Sequence, residues 1–364
     1  MQITRKSGRA LLQNRQGCRQ IHHSAGQHTG LRRPWRLCVC ARAARDRCRA
    51  RCPSGHTCSR ACCGARACEK VLNVCHLSLS PKPHLTQANA ALTQGVQVIN
   101  EFGEASTIPI PAERALTVYL DKRELVTLMT LGAHPEWLVL GFLRNQRLIA
   151  SVEEIESITV DWTIGEGELG QPGVAAVKTR HGVPDTPQAP RVVTTGCGQG
   201  SVFGDLMADI DAIALAPAQI SQTTLYSLVN AIRIQETTYK SAGSVHACAL
   251  FRGDEMLMFV EDVGRHNAVD TIAGWMWMHE VSGQDKVFYT TGRLTSEMVI
   301  KSAQMGVPIA VSRSGITQMG LDVAQRVGLC AIGRATNKRF LCFSAPERLV
   351  WQPQAALPPD SLKP

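Results

Sequence analysis

Between Met256 and Phe343 short apolar runs alternate with segments of helical length, and few folds can absorb that alternation. Met256-Leu-Met-Phe-Val260 is apolar throughout, the pattern of a strand covered on both faces. His266 to His279 follows, with Val269, Ile272 and Trp275 at three-residue steps, a helical spacing. Lys286-Val-Phe-Tyr-Thr290 reads as a strand, Ser296 to Met305 as a helix that Gly306 is placed to end, and Val307-Pro-Ile-Ala-Val311 as a strand. Thr317 to Val327 is a helix closed by Gly328, and Leu329-Cys-Ala-Ile332 and Phe340-Leu-Cys-Phe343 are strands. Strands and helices joined by short links imply an α/β fold, a mixed and partly parallel sheet with helices on both faces.

Upstream the pattern is richer in strands. Ala115 to Asp121 alternates apolar and polar residues like a half-buried strand, Asp121-Lys122 reads as a turn, and Arg123 to Met129 continues with strand-like spacing. Glu136 to Leu148, after Pro135, is an amphipathic helix, and Ile155 to Thr163 is a strand. Residues 164–190 hold five glycines and four prolines, so they form turns or a hairpin with a long loop. Ile220 to Tyr239 reads as one helix, with Gln219 and Ser221 near its start and Gly243 near its end.

The net charge of +9 over 364 residues conceals two different chains. Residues 1–85 hold 17 Lys+Arg and 2 Asp+Glu, and ten of the 14 cysteines precede His76. This stretch lacks sustained apolar periodicity, as Arg60-Ala-Cys-Cys-Gly-Ala-Arg-Ala-Cys68 illustrates, and offers too little apolar area to offset the entropy of ordering. Its cysteines contain no Cys-x-x-Cys pair, which argues against a zinc-binding arm, and a transit peptide is not usually so rich in cysteine. The expected organisation is a disordered or spurious Arg/Cys-rich extension over 1–93, a β-rich subdomain over 94–218, an α/β domain over 219–349 and a tail over 350–364. Residues 86–364 carry 22 Lys+Arg against 28 Asp+Glu, so this mildly acidic body is a poor binder of nucleic acid by bulk charge. No apolar run reaches the roughly 18 residues of a membrane-spanning helix.

In open α/β sheets ligands gather beyond the carboxyl ends of the strands, where helix N-termini point donors outward. Four segments fall there: Ser241 to His246, Glu261 to Asn267, Thr290 to Ser296, and Ser312 to Thr317. Their small hydroxyl residues, glycines and single arginines suit an anion, phosphate above all, although helix caps and turns use the same residue types. Glu261, Asp262, Arg265, His266, Asn267 and Asp270 form either a polar site wall or a network that caps the helix. The chain has neither a phosphate-binding loop of the Gly-x-x-x-x-Gly-Lys type nor a Gly-x-Gly-x-x-Gly turn after a strand, so neither a nucleotide triphosphatase nor a dehydrogenase is expected, and no nicotinamide or flavin. Cys197 stands apart in Val193-Thr-Thr-Gly-Cys-Gly-Gln-Gly-Ser-Val202, where flanking glycines leave its thiol uncrowded. That suits a nucleophile that must reach two partners in turn, or simply an ordinary loop cysteine. Cys248, Cys330 and Cys342 lie in apolar strand-like runs and read as buried.

Four stretches together carry a resemblance. Gly243-Ser-Val-His-Ala-Cys-Ala-Leu-Phe251, Glu261-Asp-Val-Gly-Arg-His-Asn-Ala-Val-Asp270, Thr291-Gly-Arg-Leu-Thr-Ser-Glu-Met-Val299 and Gly306-Val-Pro-Ile-Ala-Val-Ser-Arg-Ser314 resemble the FdhD/NarQ family of sulfur carriers, the formate dehydrogenase accessory proteins. The likeness runs from about Glu113 to Leu349. It implies a dimeric cytoplasmic sulfurtransferase with a cytidine-deaminase-like α/β domain. Such a protein takes sulfur from a cysteine desulfurase as a cysteine persulfide and hands it to the molybdenum cofactor, in its bis-guanine-dinucleotide form, before that cofactor enters formate dehydrogenase. Cys197 matches the persulfide-bearing cysteine. The family's cofactor-binding segment falls on Arg334, Ala335, Thr336, Asn337, Lys338 and Arg339, of which three are cationic and suit a pyrophosphate-rich ligand. Many members carry Cys-x-x-Cys in the loop, whereas here Gly200 replaces the second cysteine and implies a single-thiol mechanism. A deaminase would need His-x-Glu with Pro-Cys-x-x-Cys for zinc, and His246-Ala-Cys248 lacks the Glu, so no metal site is expected. A chaperone that binds and delivers the cofactor without moving sulfur is the alternative.

Overall fold

The structure, a computed structural model, describes residues 82–163, 173–182, 191–193, 210–235 and 237–356. The expectation of disorder before residue 82 lies outside them. The first half forms β1 (His84–Leu85), β2 (Thr93–Ile99), β3 (Ala105–Pro111), β4 (Arg114–Leu120), β5 (Arg123–Thr130), α1 (Pro135–Asn145), β6 (Ile155–Asp161), β7 (Gly173–Thr179) and β8 (Arg191–Val193). Six of these strands make one sheet in the order β1-β6-β7-β4-β5-β8, while β2 and β3 make a separate two-stranded sheet among the described residues. β4 and β5 are antiparallel across Asp121-Lys122, whose positive φ angles (46° and 71°) give the turn the twist a two-residue hairpin requires. Leu116, Val118, Leu128, Ile155, Ile158 and Val177 pack beneath Leu138, Val139 and Phe142 of α1.

The second half forms β9 (Ile220–Ser221), α2 (Gln222–Ile234), α3 (Thr238–Ala242), β10 (His246–Arg252), β11 (Glu255–Asp262), α4 (Arg265–Met278), β12 (Lys286–Thr290), α5 (Ser296–Gln304), β13 (Ile309–Ser312), α6 (Gln318–Val327), β14 (Cys330–Thr336), β15 (Arg339–Cys342) and β16 (Leu349–Val350). Its sheet runs β11-β10-β12-β13-β14-β15. β12, β13 and β14 are parallel, and β11, β10 and β15 run antiparallel to their neighbours. Successive side chains point to opposite faces, so Phe288 meets α4, α5 and α6 while Val287 and Tyr289 meet α2. This is the mixed α/β sheet with helices on both faces that the alternation requires.

The described residues, 82 to 356, belong to one compact unit. Within it, α1 and α4 interlock through glycines. A Cβ on Gly141 would stand 1.7 Å from the Asp270 carbonyl oxygen, and one on Gly274 would stand 1.9 Å from that of Trp137. Polar bonds reinforce the contact: Asn145 Nδ2 donates to Asp270 Oδ1 at 2.6 Å and Arg144 Nη1 to the Ala273 carbonyl at 3.1 Å.

Four sequence expectations are corrected. The folded body begins before residue 94, because β1 pairs with β6 and Glu136 accepts hydrogen bonds from Thr86 Oγ1 and Ala88 N, both at 2.7 Å. A two-residue strand held by side-chain bonds leaves no periodicity to read. The segment 220–239 is not one helix. Ser221 caps α2 by accepting from Thr224 N, and Thr237 caps a separate α3 by accepting from Lys240 N. β11 is an edge strand, and Met256 to Phe259 are only half-buried there. The expected tail is anchored as far as Gln352, whose side-chain oxygen accepts from Thr223 N and Oγ1 and whose N–H donates to Gln222 Oε1.

Candidate functional site

The carboxyl ends of β11, β12, β13 and β14 lie along one edge of the second sheet, together with the amino end of the reversed strand β10. A cavity of about 620 Å³ opens there. Its apolar wall comes from Val229 and Ile232 of α2, Phe259, Tyr289 and Ala335. Its polar rim comes from Arg233, Lys240, His246, Glu261, Thr291, Arg313, Ser314, Thr336 and Asn337. All four strand-end segments singled out in the sequence therefore supply a residue to this region, through Val245 and His246, Glu261, Thr291, and Arg313 with Ser314.

Backbone closure fixes the rim. Ala247 N donates to Thr291 Oγ1 and Thr291 N to the Ala247 carbonyl, both at 2.9 Å, while Ser312 Oγ donates to the Gly292 carbonyl at 2.7 Å. Glu261 faces the cavity with its carboxylate already occupied. It accepts from Thr238 N at 2.6 Å and Tyr239 N at 3.2 Å, at the start of α3. The remaining lining cations, Arg233, Lys240 and Arg313, are exposed at the mouth. An apolar wall beneath a basic rim suits an anionic ligand with a flat or apolar body.

The hairpin of β14 and β15 carries the six residues the sequence marked for the cofactor. Ala335, Thr336 and Asn337 line the cavity, whereas Arg334, Lys338 and Arg339 stand exposed beside it. Thr336 pairs with Arg339 across a two-residue turn in which Asn337 takes φ 52°, a left-handed conformation that Asn tolerates. The strand bulges between Gly333 and Thr336, with Arg334 also left-handed and its N–H donated to the Ser314 carbonyl. Cys197 lies outside the described residues.

The two readings of the Glu261–Asp270 cluster separate residue by residue. Asp262 is structural: its carboxylate accepts from Gly264 N (2.9 Å), Asn267 Nδ2 (2.9 Å), Thr130 Oγ1 (2.5 Å) and Leu131 N (3.1 Å), tying β5 to the start of α4. Burial pushes its pKa up to about 6 against these bonds, which favour the charged form. Asp270 accepts from the fully buried Lys301 Nζ at 2.8 Å. His266 is buried and held neutral, with its pKa down at about 2 through burial, then the charges of Lys301 and Arg265. His246 is also lowered, by burial first and then by Arg265 and Arg293. Cys248 is fully buried, and burial raises its thiol to about 12, so it is no nucleophile. Cys330 is buried in β14, with its sulfur 4.0 Å from that of the half-buried Cys342. The apolar wall escaped the sequence reading, because Phe259 and Tyr289 sit in strand patterns that look like core.

Fold and site together define a mixed α/β protein with an anion-suited cleft at the carboxyl ends of its parallel strands. The family model for the FdhD/NarQ family matches residues 111–350, and the chain belongs to that family. Among its relatives, the Sulfur carrier protein FdhD of Bacillus subtilis (strain 168) is 31% identical over 255 residues, covering 68% of this chain and 94% of the relative. That of Geobacillus kaustophilus (strain HTA426) is 28% identical over 246 residues, covering 66% and 90%. A solved structure from Desulfotalea psychrophila, provisionally named a formate dehydrogenase accessory protein, superposes with a TM-score of 0.55 at 27% identity, covering 71% of this chain and 98% of that one. Among the described residues no helix is long and apolar enough to cross a membrane.

Proposed function

We propose that this chain is a sulfur carrier for the maturation of formate dehydrogenase. It receives sulfur from a cysteine desulfurase and passes it to the molybdenum cofactor. Family membership over residues 111–350 carries the reading. The cleft supports it further, because half of the expected cofactor segment, Ala335 to Asn337, faces a cavity with a basic rim.

Cys197 is the proposed carrier. Its thiolate attacks the outer sulfur of the desulfurase persulfide, the sulfur–sulfur bond breaks, and the desulfurase leaves as its thiolate. The acceptor then donates an electron pair to the outer sulfur of the Cys197 persulfide; the acceptor–sulfur bond forms, the sulfur–sulfur bond breaks, Cys197 departs as thiolate, and the acceptor is oxidised by two electrons. Gly200 leaves the loop without a second thiol, so the acceptor performs this second attack itself.

Incubation of the full chain with a cysteine desulfurase and cysteine, followed by peptide mass spectrometry, is expected to find one added sulfur atom on Cys197. Transfer of labelled sulfur is expected to vanish in Cys197→Ala and to persist in Cys248→Ala. Full transfer by Cys197→Ala overturns the assignment. Cofactor binding without any sulfur adduct favours the non-catalytic chaperone. A homodimer in the cytoplasm belongs to the same proposal, with a sedimentation measurement as its check.

A further inference from the structure

Cys330 of β14 and Cys342 of β15 face each other with their sulfurs 4.0 Å apart. The strands are antiparallel with Ile332 opposite Cys342, so Cys330 is the diagonal neighbour of Cys342 on the same face. The two thiols are not equivalent. Cys330 has no exposed surface and packs in the core beneath α2, whereas Cys342 is half-buried at the margin of that core. The Cys330 thiol donates to the Cys342 sulfur, which holds Cys342 below the ordinary thiol pKa, and the same bond together with burial raises Cys330. Cys342 is therefore the thiol that solvent reaches and that ionises first, with Cys330 directly behind it. An accessible, more acidic thiol backed by a second one is the arrangement of an attacking and a resolving cysteine. Among the described residues no group of three or more His, Cys, Asp and Glu is placed to hold a metal, so ligation does not account for the pairing.

A bond here would act on a weakly tied element. β15 is a four-residue strand at the edge of its sheet, and its ladder with β14 is interrupted between Gly333 and Thr336. The stretch enclosed by the two cysteines includes Ala335, Thr336 and Asn337, which line the cavity. We propose that Cys330 and Cys342 are a redox-active dithiol whose disulfide clamps the β14–β15 hairpin. The oxidant is a peroxide. The Cys342 thiolate attacks one peroxide oxygen, the oxygen–oxygen bond breaks, and the departing hydroxide takes up a proton as water, leaving Cys342 as a sulfenic acid. The Cys330 sulfur then attacks the Cys342 sulfur, the sulfur–oxygen bond breaks, and the Cys330 proton leaves with the hydroxide as a second water. The two thiols are oxidised by two electrons and the peroxide is reduced to water. Side-chain rotation and a shift of the short edge strand bring the sulfurs to the bond length of about 2.0 Å. A dithiol reductant reverses the bond by exchange. Neither Cys197 nor the transfer of sulfur takes part.

The test treats the full chain with hydrogen peroxide, alkylates it under denaturing conditions and digests it with trypsin without reductant. The peptides 327–334 and 340–348 each hold a single cysteine. They are expected to appear joined, lighter by two hydrogens than their sum, and to separate in dithiothreitol. The joined peptides are expected to vanish in Cys342→Ser, which changes a half-buried side chain, and in Cys330→Ala, which keeps a small apolar group in the core. Hydrogen exchange at the amides of residues 333–341 is expected to slow roughly tenfold or more in the oxidised parent, and not in Cys342→Ser treated alike. Three outcomes overturn the dithiol: both cysteines still open to alkylation after peroxide, Cys342 carried on to sulfinic acid with Cys330 free, or either cysteine bonded elsewhere. A disulfide between them with unchanged exchange overturns the clamp.

Discussion

Lys301 has no exposed surface, yet it carries a charge through the centre of the helical layer. Burial pushes its pKa down, but Asp270 and Glu297 outweigh that and leave it above the ordinary value. Removing the ammonium strands two buried carboxylates. Lys301→Met is therefore expected to lower unfolding free energy by about 3–5 kcal/mol in urea titration, and Asp270→Asn in the same chain to recover part of the loss. His266 sets a pH dependence. Its folded pKa of about 2 lies below the ordinary 6.5, so the unfolded chain takes up a proton that the folded chain refuses. Stability therefore falls as pH drops below about 6.5, by roughly 2 kcal/mol at pH 5. Asp262 acts in the opposite sense, because a folded pKa raised to about 6 makes stability rise as pH falls from about 6 to 4. The difference between parent and His266→Asn cancels the Asp262 contribution. That difference should shrink as pH falls from 7.5 to 5, and a constant one would mean that His266 titrates normally.

At the scale of elements, the α1–α4 crossing holds the two sheets together. Alanine favours an isolated helix over glycine by about 1 kcal/mol. Gly274→Ala should nevertheless destabilise, because its Cβ would meet a backbone oxygen that cannot swing aside. A loss of about 3 kcal/mol or more is expected, a fall of roughly 6–12 °C in Tm by calorimetry. A rise in Tm would refute the interlock. Nothing in the sequence marks Gly141 or Gly274 as a crossing point, since a helical pattern reports which face is apolar and not how closely a partner backbone approaches. The strands β12, β13 and β14 were legible because burial on both faces gives each a short apolar run, Val287 to Tyr289, Ile309 to Val311 and Cys330 to Ile332. β11 has the same apolar composition at a sheet edge, and composition alone does not separate the two. The break between α2 and α3 was hidden for a different reason: Glu261, far along the chain, holds the first amides of α3.

For the molecule as a whole, the polar rim of the cleft was readable and its apolar wall was not. Small hydroxyl residues, glycines and arginines at several strand ends have few roles beyond capping and ligand contact, whereas Val229, Ile232 and Phe259 belong to a cavity only once the sheet and α2 are placed. Charge on this larger scale also limits how a ligand arrives. Residues 86–364 carry 22 Lys+Arg against 28 Asp+Glu, so an anion at long range meets a weakly repulsive body and is attracted only within about one Debye length, roughly 8 Å, of the rim. Recognition then rests on individual cations at the mouth, and Arg313 is exposed, lines the cavity and sits at the end of a parallel strand. Arg313→Glu is expected to weaken guanosine diphosphate binding by about tenfold or more at low salt, with the loss shrinking as salt screens the new repulsion. Unfolding free energy should move by no more than about 0.5 kcal/mol, as for other surface substitutions. An unchanged Kd for the nucleotide would place its phosphates away from this edge of the sheet, and a matching loss of stability would mean that Arg313 supports the fold rather than the ligand.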